Sequence, residues 1–394
     1  MDVDIPEIPA RYDGYRTRLR EFIGANRPTL GFTPRVGLRV PDDPDDVAAL
    51  RRWVRSLHDA GFVVARHGSG DTDPFEARVL VEELERSRIP YVLGNPLVTG
   101  ALALYGTDEQ KATYLPAIAN GDHIWTQLFS EPDAGSDLTS LKTRARLDGD
   151  HYVVSGQKVW STWAQFADYG YLLARSEPVE GPAGITAFAL DMHSPGITTR
   201  PLREITGTTD FNEVFLDDVE VPVANVIGAP GEGWRVATAS LTQERGGVGA
   251  RDGRESVAGL VRLARKARRG GTPAIEDGAV RQDLARFAAR SSILRYLGYA
   301  AATRAEAGER TVWDAPLTKI WFSELNLEMA DYGMGLQGPL GAIVEGDDLA
   351  VDDGLWQDGF LYARAWTIAG GSNEIMRNVI AERGLGLPRE PRGT

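Results

Sequence analysis

The sequence predicts a mostly helical α+β protein with a small β-domain at its centre. Its 394 residues exceed what one hydrophobic core usually organises, so two or three subdomains are expected. Apolar residues follow a helical period towards both ends of the chain and alternate with polar residues in between. We therefore predict an N-terminal helical domain (1–122), a central antiparallel β-barrel or sandwich (123–233) and a C-terminal four-helix-type bundle (234–394).

Three helices are predicted within the first domain. Residues 45–60 place apolar side chains on one face, after the start signal Asp43-Pro44. A second helix is expected over residues 74–87. Thr107 and Gln110 have the spacing of a capping box, which predicts that a third helix begins there.

The central domain is predicted from a change of period. Short alternating segments are separated by glycine, proline and asparagine at intervals typical of a small antiparallel barrel or sandwich. The predicted strands begin at Tyr152, Tyr169, Ile185, Ile197 and Glu213.

Long helices are predicted again from residue 234 onward. They cover residues 234–265, 280–307, 316–336 and 357–368, with a loop at 268–273 and a last helix that ends near 382. Gly246, Gly247, Gly249 and Gly253 weaken the first of these helices, since each glycine costs about 1 kcal/mol relative to alanine. The glycine cluster therefore indicates close approach of a ligand or a partner helix.

Composition and charge exclude several classes of function. The chain has no cysteine, which excludes disulfides, thiolate metal sites and cysteine nucleophiles. Its five histidines form no i, i+4 pair, so no metal site is expected. A net charge of −13 argues against nucleic acid and anionic membranes as partners. An acidic, proline-containing start and the lack of a long apolar run favour a cytoplasmic protein.

Three polar, glycine-containing stretches predict the function. Residues 127–137 read Gln-Leu-Phe-Ser-Glu-Pro-Asp-Ala-Gly-Ser-Asp, a tight turn with hydroxyls and free N–H groups that suits a polar or anionic ligand. The other two are Gly-Gln-Lys-Val-Trp-Ser-Thr at 156–162 and Ile-Ala-Gly-Gly-Ser-Asn-Glu-Ile at 368–375. In this order and at these separations, they resemble the acyl-CoA dehydrogenase family of flavoenzymes, over about residues 85–390.

The resemblance implies FAD bound between the β-domain and the C-terminal helices. No glycine-rich run has the G-x-G-x-x-G spacing, so a Rossmann site is rejected. Trp160 would flank the isoalloxazine and Thr162 would hydrogen-bond near N5, although in isolation these residues would be a core tryptophan and a strand hydroxyl. The positions that match the family's flavin site are Gln127, Leu128, Ser130, Gly135, Ser136, Trp160, Thr162, Gly371, Ser372 and Glu374.

The implied reaction is α,β-dehydrogenation of an acyl-CoA thioester, in which a carboxylate takes the α-proton and flavin N5 takes the β-hydride. Many members carry that base in an Ile-Tyr-Glu-Gly-Thr segment, where this chain has Gly370. A branch that includes isovaleryl-CoA dehydrogenase places the base on the helix after the β-domain, which corresponds to Glu244 here. Arg245 matches the family's substrate arginine, and Ser136 and Gly370 would also contact substrate. The alternative for Glu244 and Arg245 is an exposed helical ion pair.

The family also implies partners and leaves alternatives open. An electron-transfer flavoprotein would accept the electrons, and the chain would form a homodimer, a homotetramer or a heterotetramer with a related chain. The carrier is CoA or an acyl-carrier protein. A non-catalytic subunit is one alternative, because Met334 stands where a flavin-contacting glutamine is common. A flavin monooxygenase on the same fold is another. Where many family members carry tyrosine and glutamate, this chain has Ala369 and Gly370, so the resemblance implies a branched, cyclic or otherwise bulky acyl group.

Overall fold

The computed structural model describes residues 8–32, 40–62, 73–89, 96–248, 254–309 and 311–389. The side chains of residues 242–248 are outside this description, although their backbone is helical. The candidate residues Glu244, Arg245, Gly246 and Gly247 are therefore placed by backbone alone. Gly249 and Gly253 lie outside the described residues.

The first region is helical, as predicted. Its helices are α1 (Asp13–Asn26), α2 (Pro44–Asp59), α3 (Pro74–Ser87), α4 (Pro96–Tyr105) and α5 (Asp108–Ala119). The Asp43 side chain accepts a hydrogen bond from the N–H of Asp45 at the start of α2, and Thr107 and Gln110 form the predicted capping box. Helix α4 was not predicted, because it is apolar almost all round and has no polar face to reveal a period.

A buried ion network fixes α1 against α3. The carboxylate of Glu83, only 1% exposed, accepts hydrogen bonds from Arg16 at 2.6 Å, Arg20 at 2.8 Å and Arg86 at 2.9 Å. Burial would raise the pKa of Glu83, but the hydrogen bonds from these arginines outweigh it and lower the pKa to about 2. The charged form of Glu83 is therefore favoured by folding.

We expect Glu83→Gln to lower the free energy of unfolding at pH 7 by about 1.5–3 kcal/mol, the usual contribution of hydrogen bonds to a charged group. Because the pKa is about 2 in the folded chain and 4.5 in the reference state, the carboxylate stabilises the fold above pH 4.5. That stabilisation is lost as the pH falls from 4.5 towards 2. Urea unfolding of both proteins across this range tests the effect. A difference between them that does not shrink with falling pH would contradict this assignment.

The central region is a sheet. Its strands are β1 (Trp125–Leu128), β2 (Arg144–Asp148), β3 (His151–Lys158), β4 (Tyr169–Arg175), β5 (Ile185–Asp191), β6 (Ile197–Leu202), β7 (Phe211–Pro222) and β8 (Val226–Ile227). The order is β6-β7-β3-β2-β4-β5-β8, with β1 beside β4. Neighbours are antiparallel except that β4 runs parallel to β1 and to β2. The predicted strands are confirmed, and β1, β2 and β8 are additions.

The last region returns to helices. They are α6 (Gly233–Val248), α7 (Arg254–Lys266), α8 (Gly278–Glu306), α9 (Asp314–Gln337), α10 (Leu355–Ile368) and α11 (Asn373–Asn378). Helices α6 and α7 lie on either side of residues 249–253, where one continuous helix was predicted. Helix α9 is the hub of the bundle, because α6, α7, α8, α10 and α11 all pack against it.

The prediction that residues 268–273 form a loop is wrong in one respect. This segment contains a short hairpin of β9 (Arg268–Arg269) and β10 (Thr272–Pro273). Gly270 and Gly271 turn the chain with φ of 55° and 88°, the left-handed pair that a two-residue hairpin turn requires.

One core joins the three regions. Leu97 and Leu102 of α4, Trp125 of β1, Tyr171 of β4 and Val236 of α6 belong to one buried cluster. The strand that begins the first polar stretch is thus packed against the same core as α6. This packing places both elements at the junction of the β-domain and the helices.

Candidate active site

The structure brings together two of the three polar stretches. Strand β1 ends at Leu128 and β3 ends at Lys158, and the chain leaves both strands in the same place. The N–H of Val159 donates to the carbonyl of Ser130 at 2.9 Å. The hydroxyl of Thr126 donates to the carbonyl of Thr162 at 2.8 Å. These two hydrogen bonds bring the first polar stretch next to the second.

A buried ion pair between Lys158 and Glu131 connects these strand ends. The ammonium of Lys158, fully buried, donates to Glu131 Oε1 at 2.8 Å and to the carbonyl of Phe129 at 3.1 Å. The same carboxylate accepts the N–H groups of Lys142 at 2.6 Å and Thr143 at 2.9 Å. Burial lowers the pKa of Lys158 to about 8 against the attraction of Glu131. Burial opposes ionisation of Glu131, yet Lys158 and these donors hold its pKa below its usual value.

The indole of Trp160 lies at the surface, two residues after Lys158 of this ion pair. It is 60% exposed, adopts a left-handed φ of 61°, and meets the ring of Phe211 edge-on at 5.9 Å. The alternative that Trp160 is a core residue is wrong. Thr162 lies in a turn beyond β3, so its interpretation as a strand hydroxyl is wrong as well.

Two buried oxygen atoms lie next to these residues. Ser161 Oγ and Asn212 Oδ1 have no hydrogen-bond partner within the described part of the chain. The backbones of the two residues are joined, since the N–H of Ser161 donates to the carbonyl of Asn212 at 3.1 Å. Polar atoms that are buried without a partner carry a free-energy cost, and these two lie close in sequence or by hydrogen bond to Trp160 and Thr162.

The remaining β-domain residues differ in accessibility. Gln127 and Ser130 are half-buried, and Gly135 and Ser136 are exposed in the following turn. The side chain of Leu128 is fully buried in the core of the sheet. It is therefore the one member of this set that points away from an accessible surface.

The third polar stretch forms a separate group on the C-terminal bundle. Gly370 and Gly371 turn the chain between α10 and α11 with φ of 67° and 93°. Ser372 caps α11 by accepting the N–H of Ile375 at 3.3 Å. Glu374 is exposed, and hydrogen bonds from its own N–H and from Ser372 lower its pKa. No described atom beyond its chain neighbours lies within 4 Å of where a side chain at Gly370 would begin.

Helix α6 carries the two other candidates, Glu244 and Arg245. It packs against α4, β5 and α9. Ser240 on this helix is fully buried and lies 3.4 Å from the hydroxyl of Tyr171. Glu244 comes one helical turn after Ser240 and so shares its helix face. The side chains of Glu244 and Arg245 are outside the description.

No group of three or more metal-ligating side chains occurs in the described ranges. Among the helices that the structure describes, none is both long and apolar enough to cross a bilayer.

Comparisons with known proteins identify the chain's relatives. Family models for the N-terminal, middle and C-terminal domains of acyl-CoA dehydrogenase match residues 43–122, 126–219 and 231–385. The acyl-CoA dehydrogenase IpdE1 of Mycobacterium tuberculosis is 37% identical over 392 aligned positions, which cover 96% of this chain and 98% of that protein.

Solved structures share the whole fold. The Tcur3481-Tcur3483 steroid ACAD is 32% identical with a TM-score of 0.85, over 98% of this chain and 100% of that one. The ChsE4-ChsE5 complex of Mycobacterium tuberculosis is 26% identical with a TM-score of 0.80, over 97% of this chain and 99% of the matched chain.

Proposed function

The chain belongs to the acyl-CoA dehydrogenase family of oxidoreductases, and from that premise we propose that it oxidises a bulky acyl-CoA with Glu244 as the base and FAD as the cofactor. Dehydrogenation of acyl-CoA and the flavoprotein class follow from membership of the family. The identity of the base, the shape of the acyl group and the residues that hold FAD are the proposal. The single observation that carries it is the glycine turn at 370–371, where a carboxylate is missing.

Two structural features support Glu244 as the base. The turn at Gly370 offers backbone but no carboxylate, so the proton must be taken by another element. Glu244 follows the buried Ser240 by one helical turn on α6, and α6 packs on the β-domain and on α9, against which the two helices that flank the glycine turn, α10 and α11, also pack. An α-proton is weakly acidic, and a carboxylate whose pKa is raised by removal from water can accept it.

Two features of the β-domain surface support a flavin site. The exposed indole of Trp160 offers a flat apolar contact, and the half-buried side chains of Gln127 and Ser130 offer polar atoms on the other polar stretch. FAD, when bound, supplies the acceptor for the substrate's β-hydride. We assign its binding to Gln127, the backbone of Leu128, and Ser130, Gly135, Ser136, Trp160 and Thr162 on the β-domain, with Gly371, Ser372 and Glu374 on the bundle.

The chain's own groups then have distinct tasks. Glu244 takes the α-proton and holds it. Arg245, Ser136 and the backbone at Gly370 bind the thioester and orient the α- and β-carbons. Fixed donors at the thioester oxygen stabilise the negative charge that develops there, which is usually the largest electrostatic contribution to such a reaction.

The acyl group is proposed to be bulky, because the turn leaves room beside it. A side chain at Gly370 would meet no described atom within 4 Å, and Ala369 adds little volume. The similarity to a steroid ACAD supports a ring-bearing acyl group.

We expect ring-bearing and branched acyl-CoAs to be oxidised about 10- to 100-fold more efficiently, in kcat/KM, than butyryl- or octanoyl-CoA, since one methylene in an apolar pocket contributes about 1–3 kcal/mol. The measurement is anaerobic bleaching of the flavin by each ester in turn. Preference for an unbranched chain would exclude the bulky substrate and leave the dehydrogenase intact. Failure of every ester to bleach a protein that holds FAD would exclude the proposed activity.

A second, related chain is the proposed partner, with an electron-transfer flavoprotein as the acceptor. Two similar structures are named for pairs of proteins, Tcur3481-Tcur3483 and ChsE4-ChsE5. The alternative of a non-catalytic subunit predicts a chain that binds no FAD by itself. Light scattering combined with flavin absorbance, on the chain alone and with a co-expressed relative, gives the stoichiometry that separates the two.

A further inference from the structure

A buried lysine on α9 spans the glycine turn between α10 and α11. The ammonium of Lys319 donates to the carbonyl of Thr367 at 3.3 Å and to Asn373 Oδ1 at 2.8 Å. Thr367 precedes the turn and Asn373 follows it, so one cation connects both of its ends. Lys319 is only 4% exposed and is therefore committed to this position.

A second donor from the same helix face completes the contact. The hydroxyl of Ser323 lies 3.0 Å from Asn373 Oδ1, and Ser323 follows Lys319 by one helical turn. Both Ser323 and Asn373 are buried. The Asn373 amide oxygen is thus held by two α9 side chains, which sets where α11 begins.

The turn itself depends on such support. Gly370 and Gly371 are both left-handed, and no described atom beyond the chain neighbours lies within 4 Å of where a side chain at Gly370 would begin. Glycine pairs are conformationally permissive, so contacts made by the residues on either side help to fix the position of their backbone. Those residues are held by Lys319 and Ser323.

Helix α9 also packs against α6, the helix that carries Glu244. Helix α9 therefore contacts both the helix that carries the proposed base and the helices on either side of the glycine turn. A shift of the turn relative to α9 would change the distance between the thioester and its base, and small misplacements of this kind reduce rates strongly.

We propose that Lys319 is a positioning residue for acyl-CoA. It holds the Gly370–Gly371 turn in the position where the backbone of the turn contacts the thioester. This inference rests on the proposed function, which places the turn beside the substrate. Ser323 assists by fixing the Asn373 end. Neither side chain touches substrate, and both act through the turn.

The test compares Lys319→Met with Lys319→Arg and Ser323→Ala. Lys319→Met should raise KM and the dissociation constant of the enoyl-CoA product about tenfold or more, because a displaced turn no longer presents its backbone to the thioester in the right geometry. Lys319→Arg keeps the cation, although its larger guanidinium must fit the same buried site, and it should recover part of the affinity. Ser323→Ala should have a smaller effect in the same direction. Amide hydrogen exchange at residues 369–373 should rise in Lys319→Met.

Lys266→Met is the matched control, because Lys266 is exposed on the same bundle and pairs with Asp352 at the surface. Its KM, product affinity and exchange at the turn should equal those of the wild type. Reduction of bound FAD by dithionite should be equal in all variants.

Several outcomes would overturn the inference. A merely structural lysine would reduce the active fraction, and thus kcat, while KM stayed constant. Unchanged product affinity in both Lys319→Met and Ser323→Ala would also overturn the inference. Unfolding of Lys319→Met together with normal product affinity in Ser323→Ala would overturn it as well. If the wild type itself oxidises no acyl-CoA, the proposed function fails first, and exchange at the turn still reports whether Lys319 holds it.

Discussion

Glu244→Gln should retain FAD and the fold but lose reduction of the flavin by acyl-CoA, by a factor of about 10²–10⁴ or more. Glutamine preserves the shape of the side chain and removes its ability to accept a proton. Gly370 offers no carboxylate that could substitute. Stopped-flow measurement of flavin bleaching under anaerobic conditions gives the effect, and dithionite should reduce the flavin of both proteins equally.

A second measurement isolates the proton transfer. The ester 3,3-dimethylbutyryl-CoA has α-protons and no β-hydrogen, so it can exchange protons without being oxidised. Exchange into deuterated water, followed by mass spectrometry, should occur with the wild type and be lost in Glu244→Gln. Glu232→Gln is the control, because Glu232 lies just before the same helix and pairs with Arg235 at the surface. Exchange at the wild-type rate in Glu244→Gln would remove Glu244 from the mechanism.

Local signals accounted for most of the predicted fold. Asp43 and Thr107 act on backbone groups only a few residues away, so their positions already predicted where α2 and α5 begin. Strands such as β4 were predicted from their composition and flanking turns. Helix α4 was not, because it is buried nearly all round and carries no amphipathic pattern. Strand β1 spans only Trp125–Leu128, too short for a period to emerge.

The candidate site was only partly visible in the sequence. The resemblance to the family identified Trp160 and the glycine turn, but no local pattern distinguishes a buried lysine from a surface one. Lys158 and Glu131 were both inside recognised stretches, yet their pairing depends on how β1 and β3 meet. Lys319 and Asn373 are brought together by the packing of α9 against α11. Such contacts are set by tertiary structure and leave no periodic signal.

Lys158→Met should be the most destabilising of the substitutions considered, by about 3–5 kcal/mol, because it leaves the Glu131 carboxylate buried without its cation. The pair joins the ends of β1 and β3, so its loss should also loosen the surface that carries Ser130 and Trp160. We therefore expect a lower thermal midpoint and weaker retention of FAD during gel filtration. The two readouts should change together.

Two further variants identify the cause. Lys142→Met is the surface control, since Lys142 is 75% exposed and pairs with Asp133 at 3.3 Å in the same loop, where ion pairs contribute about 0–1 kcal/mol. The double variant Glu131→Gln/Lys158→Met removes both charges and should recover much of the stability, because the main cost of the single change is an unpaired buried charge. If the double variant were as unstable as the sum of the single ones, the two residues would act independently. The stability of this surface would then come from side-chain packing, with no contribution from the ion pair.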